Sequence, residues 1–556
     1  MLQRLRKATR GAALAARVMR TSGLLGALRP TTWPGFARQA RRVPVGPGLA
    51  VMFHAHNTPA KECLVELRAD GSRRSLSWGE FEASINQLAH ALLARGLAPG
   101  AGVAIMLPNG IDYLIVQQAL VRVGGVAVQI GYRLKAGEIT YILGNAEPAV
   151  TVVDAAYAAV MDEARAQAGT TTPVIVTSTG TGAAGVDAAH TRWDEALAGQ
   201  PTTAPAQRGP DQGGVIVYTS GTTGKPKGAK RSWRQTGYDS IGDMFAQCGF
   251  RTDDRHLVVC PLYHSAAPAF VAMMMALGAT CVLLEHFEPE AVLATIARER
   301  ITCSMMVPTM LGRLAAVPPE VRRRHDTSSL RWVMSGAAPL PTETARRFQD
   351  QFGPILWNFY GATETGLVTM AGPADHVARP GTIGRPMRGN EIVLLDEAGR
   401  PVADGEIGEL YARNSTMISG YHRNHEATSS SMKDGFFSVG DLGRRDADGY
   451  YYLESRKHDM VISGGVNIYP REIEDHLMTH PAVLDVAVVG VPDPDWGESL
   501  RAYVVVRPGQ ALAEAEVVDF CRAHLADYKR PRSVHFLPEL PRNPTGKILK
   551  RELRAL

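Results

Sequence analysis

Between Tyr218 and Gly228 the chain reads Tyr-Thr-Ser-Gly-Thr-Thr-Gly-Lys-Pro-Lys-Gly. Gly221, Gly224 and Gly228 let successive backbone amides turn toward one anion. Thr219, Ser220, Thr222 and Thr223 add hydroxyl donors, and Lys227 adds a positive charge. Together they suit a polyphosphate. The run is not the GxxxxGK[ST] phosphate loop, because Pro226 precedes Lys227 and Gly228 follows it. Clusters of Gly, Ser and Thr are usually plain polar turns. The length of this one, directly after the apolar residues 215–218, argues for an anion site instead.

Other reactive residue types form no comparable pattern. The histidines show no HExxH or similar spacing, so a zinc site has no support. Cys63, Cys248, Cys260, Cys281, Cys303 and Cys521 are far apart and include no CxxC pair. They read as free thiols of a protein kept in a reducing compartment.

The 218–228 run resembles the phosphate-loop signature of the adenylate-forming superfamily. That superfamily comprises acyl-CoA synthetases, peptide-synthetase adenylation domains and firefly luciferase. Other segments match its motifs in the expected order. Residues 335–340 (Ser-Gly-Ala-Ala-Pro-Leu) and 358–366 (Asn-Phe-Tyr-Gly-Ala-Thr-Glu-Thr-Gly) match two nucleotide-binding motifs. Residues 438–441 (Ser-Val-Gly-Asp) match the ribose motif, 456–474 the domain hinge, and 528–531 with 541–550 the C-terminal pair. The resemblance runs from about residue 77 to the end and is strongest to bacterial fatty acyl-CoA synthetases.

The resemblance implies a role for each matching residue. Residues 219–224 and Lys227 would cradle the phosphates of ATP. Tyr360 would offer an aromatic face to adenine, with Gly336, Ala337, Asn358, Phe359 and Gly361 around it. Asp441 would accept two hydrogen bonds from the ribose diol, and Arg456 would hold the same sugar. Thr363 would touch the α-phosphate, and Glu364 would hold Mg²⁺, a hard cation that bridges phosphates. Lys547 would neutralise charge as the carboxylate attacks the α-phosphorus. After adenylation the C-terminal part would turn about His458, bringing Gly464 and Gly465 toward the thiol of coenzyme A. Ser455 and His458 depart from the family pattern, which usually has Gly and then Asp or Lys. Taken singly, each residue has a plainer reading: a surface lysine, a turn aspartate, a cap-neighbour glutamate.

Residues 261–268 (Pro-Leu-Tyr-His-Ser-Ala-Ala-Pro) match the segment bordering the acyl site. His264 would line its entrance, and Ser265 and Ala266 would leave room; a core histidine bonded to backbone is the other reading. No acidic residue occurs from Pro261 to Leu284, which disfavours an α-amino substrate. Met273, Met274 and Met275 form adaptable apolar wall or plain core. The expectation is a medium- or long-chain fatty acid ahead of an aryl acid, activated by ATP and passed to coenzyme A. Transfer to a carrier protein, a regulatory protein without chemistry, and a luciferase-type oxygenase are the alternatives.

These residues need a scaffold of 556 residues, 45% apolar, enough for two or more domains. Ser77 and Glu80 form a capping box, after which Phe81, Ile85, Leu88, Ala89 and Leu92 share one helical face up to Gly96. Strands at 103–107, 126–130, 150–153 and 174–177 alternate with helices such as 113–123. The pattern predicts an α/β fold: a large N-terminal domain of layered, largely parallel sheets, and a small mobile α+β C-terminal domain. Strands should shorten past Leu394, with a hairpin at Asp448-Gly449. The expected boundaries are an arm at 1–44, a large domain at 45–457 and a small domain at 458–556.

The net charge of +5 is unevenly placed. Ten Arg and Lys residues lie between Arg4 and Arg42, and no acidic residue precedes Glu62. The remaining 50 basic residues face 55 acidic ones, so the body is acidic overall. Nothing in it suggests nucleic acid. The arm reads as a basic amphipathic helix on an anionic membrane surface, a transit peptide, or a solvated or packed segment. No apolar stretch is long enough to span a membrane, and a cytoplasmic enzyme, peripheral on the inner membrane face, is expected.

Overall fold

In the computed structural model, residues 16, 18–40, 43, 47–177, 187–206, 213–219, 226–233, 237–543 and 546–556 are described. Most of the basic arm, and Ser220, Gly221, Thr222, Thr223 and Gly224 of the phosphate run, lie outside them.

The fold is α/β, with a large N-terminal part built on two sheets and a small C-terminal part built on a third. In the eight-stranded sheet, Gly102–Met106 pairs in parallel with Val126–Gln129 and Val150–Asp154. Val126–Gln129 then pairs in parallel with Gly214–Thr219. That strand pairs antiparallel with Lys227–Ser232, so the two strands flanking residues 220–225 lie side by side.

The fourteen-stranded sheet is parallel from Glu62–Leu67 through Thr280–Leu284, Arg255–Val258, Cys303–Met306 and Trp332–Ser335 to Leu356–Ala362. Beyond that strand it is antiparallel, ending in Tyr451–Arg456, Phe436–Arg445, Gly408–Arg413 and Glu391–Leu395. The helix Ile111–Val123 is buried along its whole length, touching strands of both large sheets. The capping box at Ser77 forms as read: its hydroxyl accepts from the Glu80 amide, and the Ser77 amide donates to the Glu80 carboxylate at 2.8 Å.

Strand length departs from expectation. Phe436–Arg445, Val483–Asp493 and Gly497–Val506 run to 10, 11 and 10 residues. Ser438 and Asp441, polar but buried, interrupt the first one's apolar run, so it does not read as long in sequence. The turn after Arg456 leads from the large sheet into the five-stranded one, whose first strands are Val461–Ser463 and Val466–Ile468. All six cysteines are unpaired, and five of them are buried. No helix among the described residues is long and apolar enough to cross a membrane.

Candidate active site

The strand pair Gly214–Thr219 and Lys227–Ser232 is fastened to the turn that follows Leu356–Ala362. Thr219 Oγ1 donates to Glu364 Oε1 at 3.2 Å, and the Tyr421 hydroxyl donates to the same oxygen at 3.1 Å. Arg231, on the second of these strands, donates to the Thr363 carbonyl at 2.6 Å. The Glu364 carbonyl is held by the Ile418 amide at 2.9 Å. Lys227 Nζ lies 5.3 Å from the centre of the Tyr421 ring. The turn is therefore fixed from three sides, with a buried carboxylate and two hydroxyls at its centre.

Gly361 makes this turn possible: a side chain there would run into the Gly366 carbonyl across the bulged pair of strands. Gly336 has the same constraint for a different reason, because a Cβ would meet the ring of Phe359. Its neighbour Ala337 sits at φ 67°, a left-handed conformation that costs a non-glycine residue about 1–2 kcal/mol. Strain of this kind concentrates where backbone must be presented to a ligand.

Along Leu356–Ala362 the side chains alternate. Tyr360 points to Asp441, its hydroxyl donating to Oδ2 at 2.8 Å. Arg456 Nε holds the other carboxylate oxygen at 3.1 Å, and Arg456 is the backbone partner of Asp441 in the neighbouring strand. Burial beside that carboxylate raises the Tyr360 pKa well above its ordinary value, so Tyr360 stays a hydrogen-bond donor. The ring of Phe359 faces the other way, onto Phe270 at 5.8 Å, so its side chain belongs to the core and not to the Tyr360 face. Asn358 is buried, and its Oδ1 has no partner among the described residues.

Lys547 reaches this site from the far end of the chain. Asn543 and Lys547 are tied to each other, the Lys547 amide donating to Asn543 Oδ1 and the Asn543 amide to the Lys547 carbonyl, both at 2.9 Å. Gly546 packs against Thr309 of the large part in a left-handed conformation. Burial, followed by the nearby Arg456 charge, lowers the Lys547 pKa to about 8, while Asp441, Asp459 and Glu364 oppose the shift. Lys547 thus lies within electrostatic reach of the Asp441 and Glu364 carboxylates, the three residues coming from separate segments.

His264 is half-buried, its ring 4.3 Å from Tyr263, and its shielded Nε2 has no partner among the described residues. It is therefore not a core histidine satisfied by backbone through that nitrogen. Burial lowers its pKa to about 4, leaving it neutral near pH 7. Ser265 Oγ lies 3.0 Å from Thr363 Oγ1, which ties the segment directly to the Glu364 turn. Ala266 opens the helix Ala266–Leu277, in which Met273, Met274 and Met275 are all buried in the main core.

Gly464 and Gly465, at φ 57° and 82°, form the two-residue tip between the paired Ser463 and Val466. A Cβ on Gly464 would lie 2.6 Å from the Trp496 ring. His458 follows Arg456 in the connecting turn; its carbonyl accepts from Arg554 at 3.2 Å. Ser455 Oγ bonds the adjacent Arg456 carbonyl at 3.1 Å.

Tyr421 and Arg231 are site residues that reading the sequence did not single out. Tyr421 follows Gly420 on a two-residue strand paired to Lys227–Ser232, a weak signal. Arg231 sits in a basic stretch that reads as surface, yet it is half-buried here, with its Nε shielded from solvent.

Comparison with known proteins agrees with this layout. The model of the AMP-binding enzyme family matches residues 53–422, and that of the AMP-binding enzyme C-terminal domain matches 472–547. A feruloyl-CoA synthase of Amycolatopsis sp is 36% identical over 482 residues, covering 86% of this chain and 94% of the relative. The long-chain-fatty-acid–CoA ligase FadD13 of Mycobacterium tuberculosis is 32% identical, covering 86% and 92%. The crystal structure of the anthranilate CoA ligase AuaEII in complex with anthranoyl-AMP superposes with a TM-score of 0.83 at 27% identity, covering 92% of this chain and 98% of that one.

Proposed function

Because the chain belongs to the AMP-binding enzyme family, we propose that it is an AMP-forming acid–thiol ligase that makes an acyl-adenylate and transfers the acyl group to coenzyme A. The observation that carries this reading is the convergence of Lys547, Asp441 and Glu364 from distant segments onto one buried site. The relatives named above support it, since they are acyl-CoA ligases or hold an acyl-adenylate.

In the proposed first step a carboxylate oxygen attacks the α-phosphorus of ATP and the bond to pyrophosphate breaks. Asp441 and Arg456 hold the ribose, the amides of residues 219–224 and Lys227 hold the phosphates, and Lys547 stabilises the charge that builds on the reacting oxygens. Glu364, with its paired hydroxyls, fits Mg²⁺ held through one carboxylate and the substrate phosphates, and that ion would neutralise phosphate charge. In the second step the small domain turns about His458, Lys547 withdraws, and the Gly464-Gly465 tip faces the thiol. The thiolate attacks the acyl carbon, and AMP leaves with the electron pair of the mixed anhydride bond.

The Lys547 cation is the working form, so its benefit is present below its pKa and lost as pH rises through it. The alkaline limb of kcat/KM for adenylation, which reports the free enzyme, is expected near pH 8. Under saturating ATP the limb should move upward, because phosphates favour the charged amine. A limb that stays above pH 10 in both measurements contradicts the assignment.

The proposed acid is a medium- or long-chain fatty acid, supported by the absence of acidic residues from Pro261 to Leu284 and by the fatty-acid ligase among the relatives. An aryl acid is the second reading. It is favoured by the unpartnered His264 Nε2 and Tyr263 hydroxyl, buried groups that an oxygenated ring would satisfy. ATP-dependent AMP release across acetate, dodecanoate, palmitate, benzoate and ferulate, each with and without coenzyme A, tests the whole reading. AMP with matching acyl-CoA supports the ligase and names its acid. Acyl-AMP that coenzyme A leaves unchanged points to a carrier-protein acceptor, and no AMP from any acid overturns the function.

The N-terminal arm is proposed to rest on an anionic membrane face on the cytoplasmic side. Leu25 and Trp33 are 51% and 49% exposed beside exposed Arg29 and Arg38, while Phe36 turns inward onto Phe53. Leu25→Glu with Trp33→Glu should reduce co-sedimentation with phosphatidylglycerol vesicles severalfold without altering activity on soluble acids. Unchanged sedimentation dismisses the membrane role.

A further inference from the structure

A small cavity lies where the C-terminal part meets the segments proposed to bind the nucleotide. Leu340, Asn358, His376 and Thr382 line it from the large part, and Arg471 enters it from the small one. Arg471 is the second residue of the helix Pro470–Leu477, directly after the proposed hinge and the Gly464-Gly465 hairpin. Its Nη2 donates to the Leu340 carbonyl at 3.3 Å, and its Nε bonds Asp475 of its own helix at 3.3 Å. The side chain is 12% exposed, and Nη1 has no acceptor among the described residues. Asn358 Oδ1 and His376 Nε2, on the opposite wall, are likewise without partners. Burial lowers the His376 pKa to about 4, so no second cation opposes the guanidinium there.

Leu340 ends the Ser335–Leu340 motif that carries Gly336 and Ala337, and Asn358 shares a strand face with Tyr360. Arg471 therefore bonds one of the two segments expected to present adenine and shares a cavity with the other, while belonging to the body that carries Lys547. A hydrogen bond from a charged donor is stronger than a neutral one and is directional, so it favours one placement of that body over others.

We propose that Arg471 is a positioning residue: by gripping the Leu340 carbonyl and facing the Asn358 cavity it holds the small domain, and with it Lys547, in the adenylate-forming arrangement. This inference rests on the two-step reading above. In the second step the grip is released, so its loss should burden adenylation alone.

The test compares wild type, Arg471→Met and Arg471→Lys. Arg471→Met should slow adenylation about tenfold in kcat with little change in the KM for ATP. Thioester formation from supplied dodecanoyl-AMP and coenzyme A should stay within twofold. Arg471→Lys, which keeps a cation able to reach the carbonyl, should recover part of the loss. Without any acid, acetylation of Lys547 by an N-hydroxysuccinimide ester, read by mass spectrometry, should speed up severalfold in Arg471→Met while the exposed Lys457 is unaffected. A Lys547 labelling rate unchanged in Arg471→Met overturns the inference, as does an equal fall in both half-reactions. Wild type that forms no adenylate from any acid overturns the proposed function instead, and the labelling result still decides the placement of Lys547.

Discussion

Lys547→Ala is expected to reduce acyl-adenylate formation by about a hundredfold to a thousandfold, the range seen when one preorganised charge or donor is removed from a transition state. Thioester formation from supplied acyl-AMP and coenzyme A should change by only a few fold. The contrast follows from geometry. Lys547 lies among Asp441, Arg456 and Glu364 because the 541–548 loop is seated against Thr309 of the large part. In the proposed second step that loop has left. The measurement is acid-dependent exchange of pyrophosphate into ATP beside single-turnover acyl transfer. Equal loss of both steps would show that Lys547 supports the fold or the second step, not adenylation. Fold damage is a minor concern: burial disfavours the lysine charge, so its removal relieves a desolvation cost.

Asp441→Ala should raise the KM for ATP by at least about a hundredfold. Two hydrogen bonds from a ribose diol to a carboxylate contribute about 1.5–3 kcal/mol each, so a hundredfold, roughly 2.7 kcal/mol, is the lower bound of the expected loss. This substitution also carries a structural cost, because it strips partners from the buried Tyr360 hydroxyl and from Arg456. A loss of about 1–3 kcal/mol in stability is expected from those unsatisfied groups. Asp441→Asn separates the two effects: its amide oxygen still accepts from Tyr360, so stability should largely return while the weaker acceptor leaves ATP binding impaired. Calorimetric titration with ATP and thermal melts of both variants read the two quantities independently. An unchanged ATP affinity in Asp441→Ala removes this residue from the nucleotide site.

Motif residues were legible in sequence wherever chemistry fixes their spacing within one segment. The Ser77 capping box and the helix after it form as read, since both depend only on neighbours in the chain. The 358–366 segment was legible as a unit, but not the side on which each residue falls: Tyr360 meets Asp441 while Phe359 packs into the core. The antiparallel half of the large sheet was hidden because its strands mix polar and apolar positions without clean alternation. Arg231 and Tyr421 were illegible for another reason. Their importance comes only from contact with Thr363 and Glu364, more than fifty residues away in the chain. The interdomain cavity around Arg471 is the extreme case, since its walls come from four separate segments.

The pairing of Asp441 with Arg456 has one more consequence. Both residues belong to the large sheet, and Arg456 is the last residue of its strand before the connecting turn. If the small domain swings about that turn, the sugar's anchors stay where they are. The mixed anhydride would then be handed from one chemistry to the next without being let go. Such an enzyme should leak little intermediate into solution, and water should have few chances to waste the ATP already spent. Trapping with an external nucleophile during turnover would measure that fidelity, and weakening the Asp441–Arg456 pair should be what spoils it.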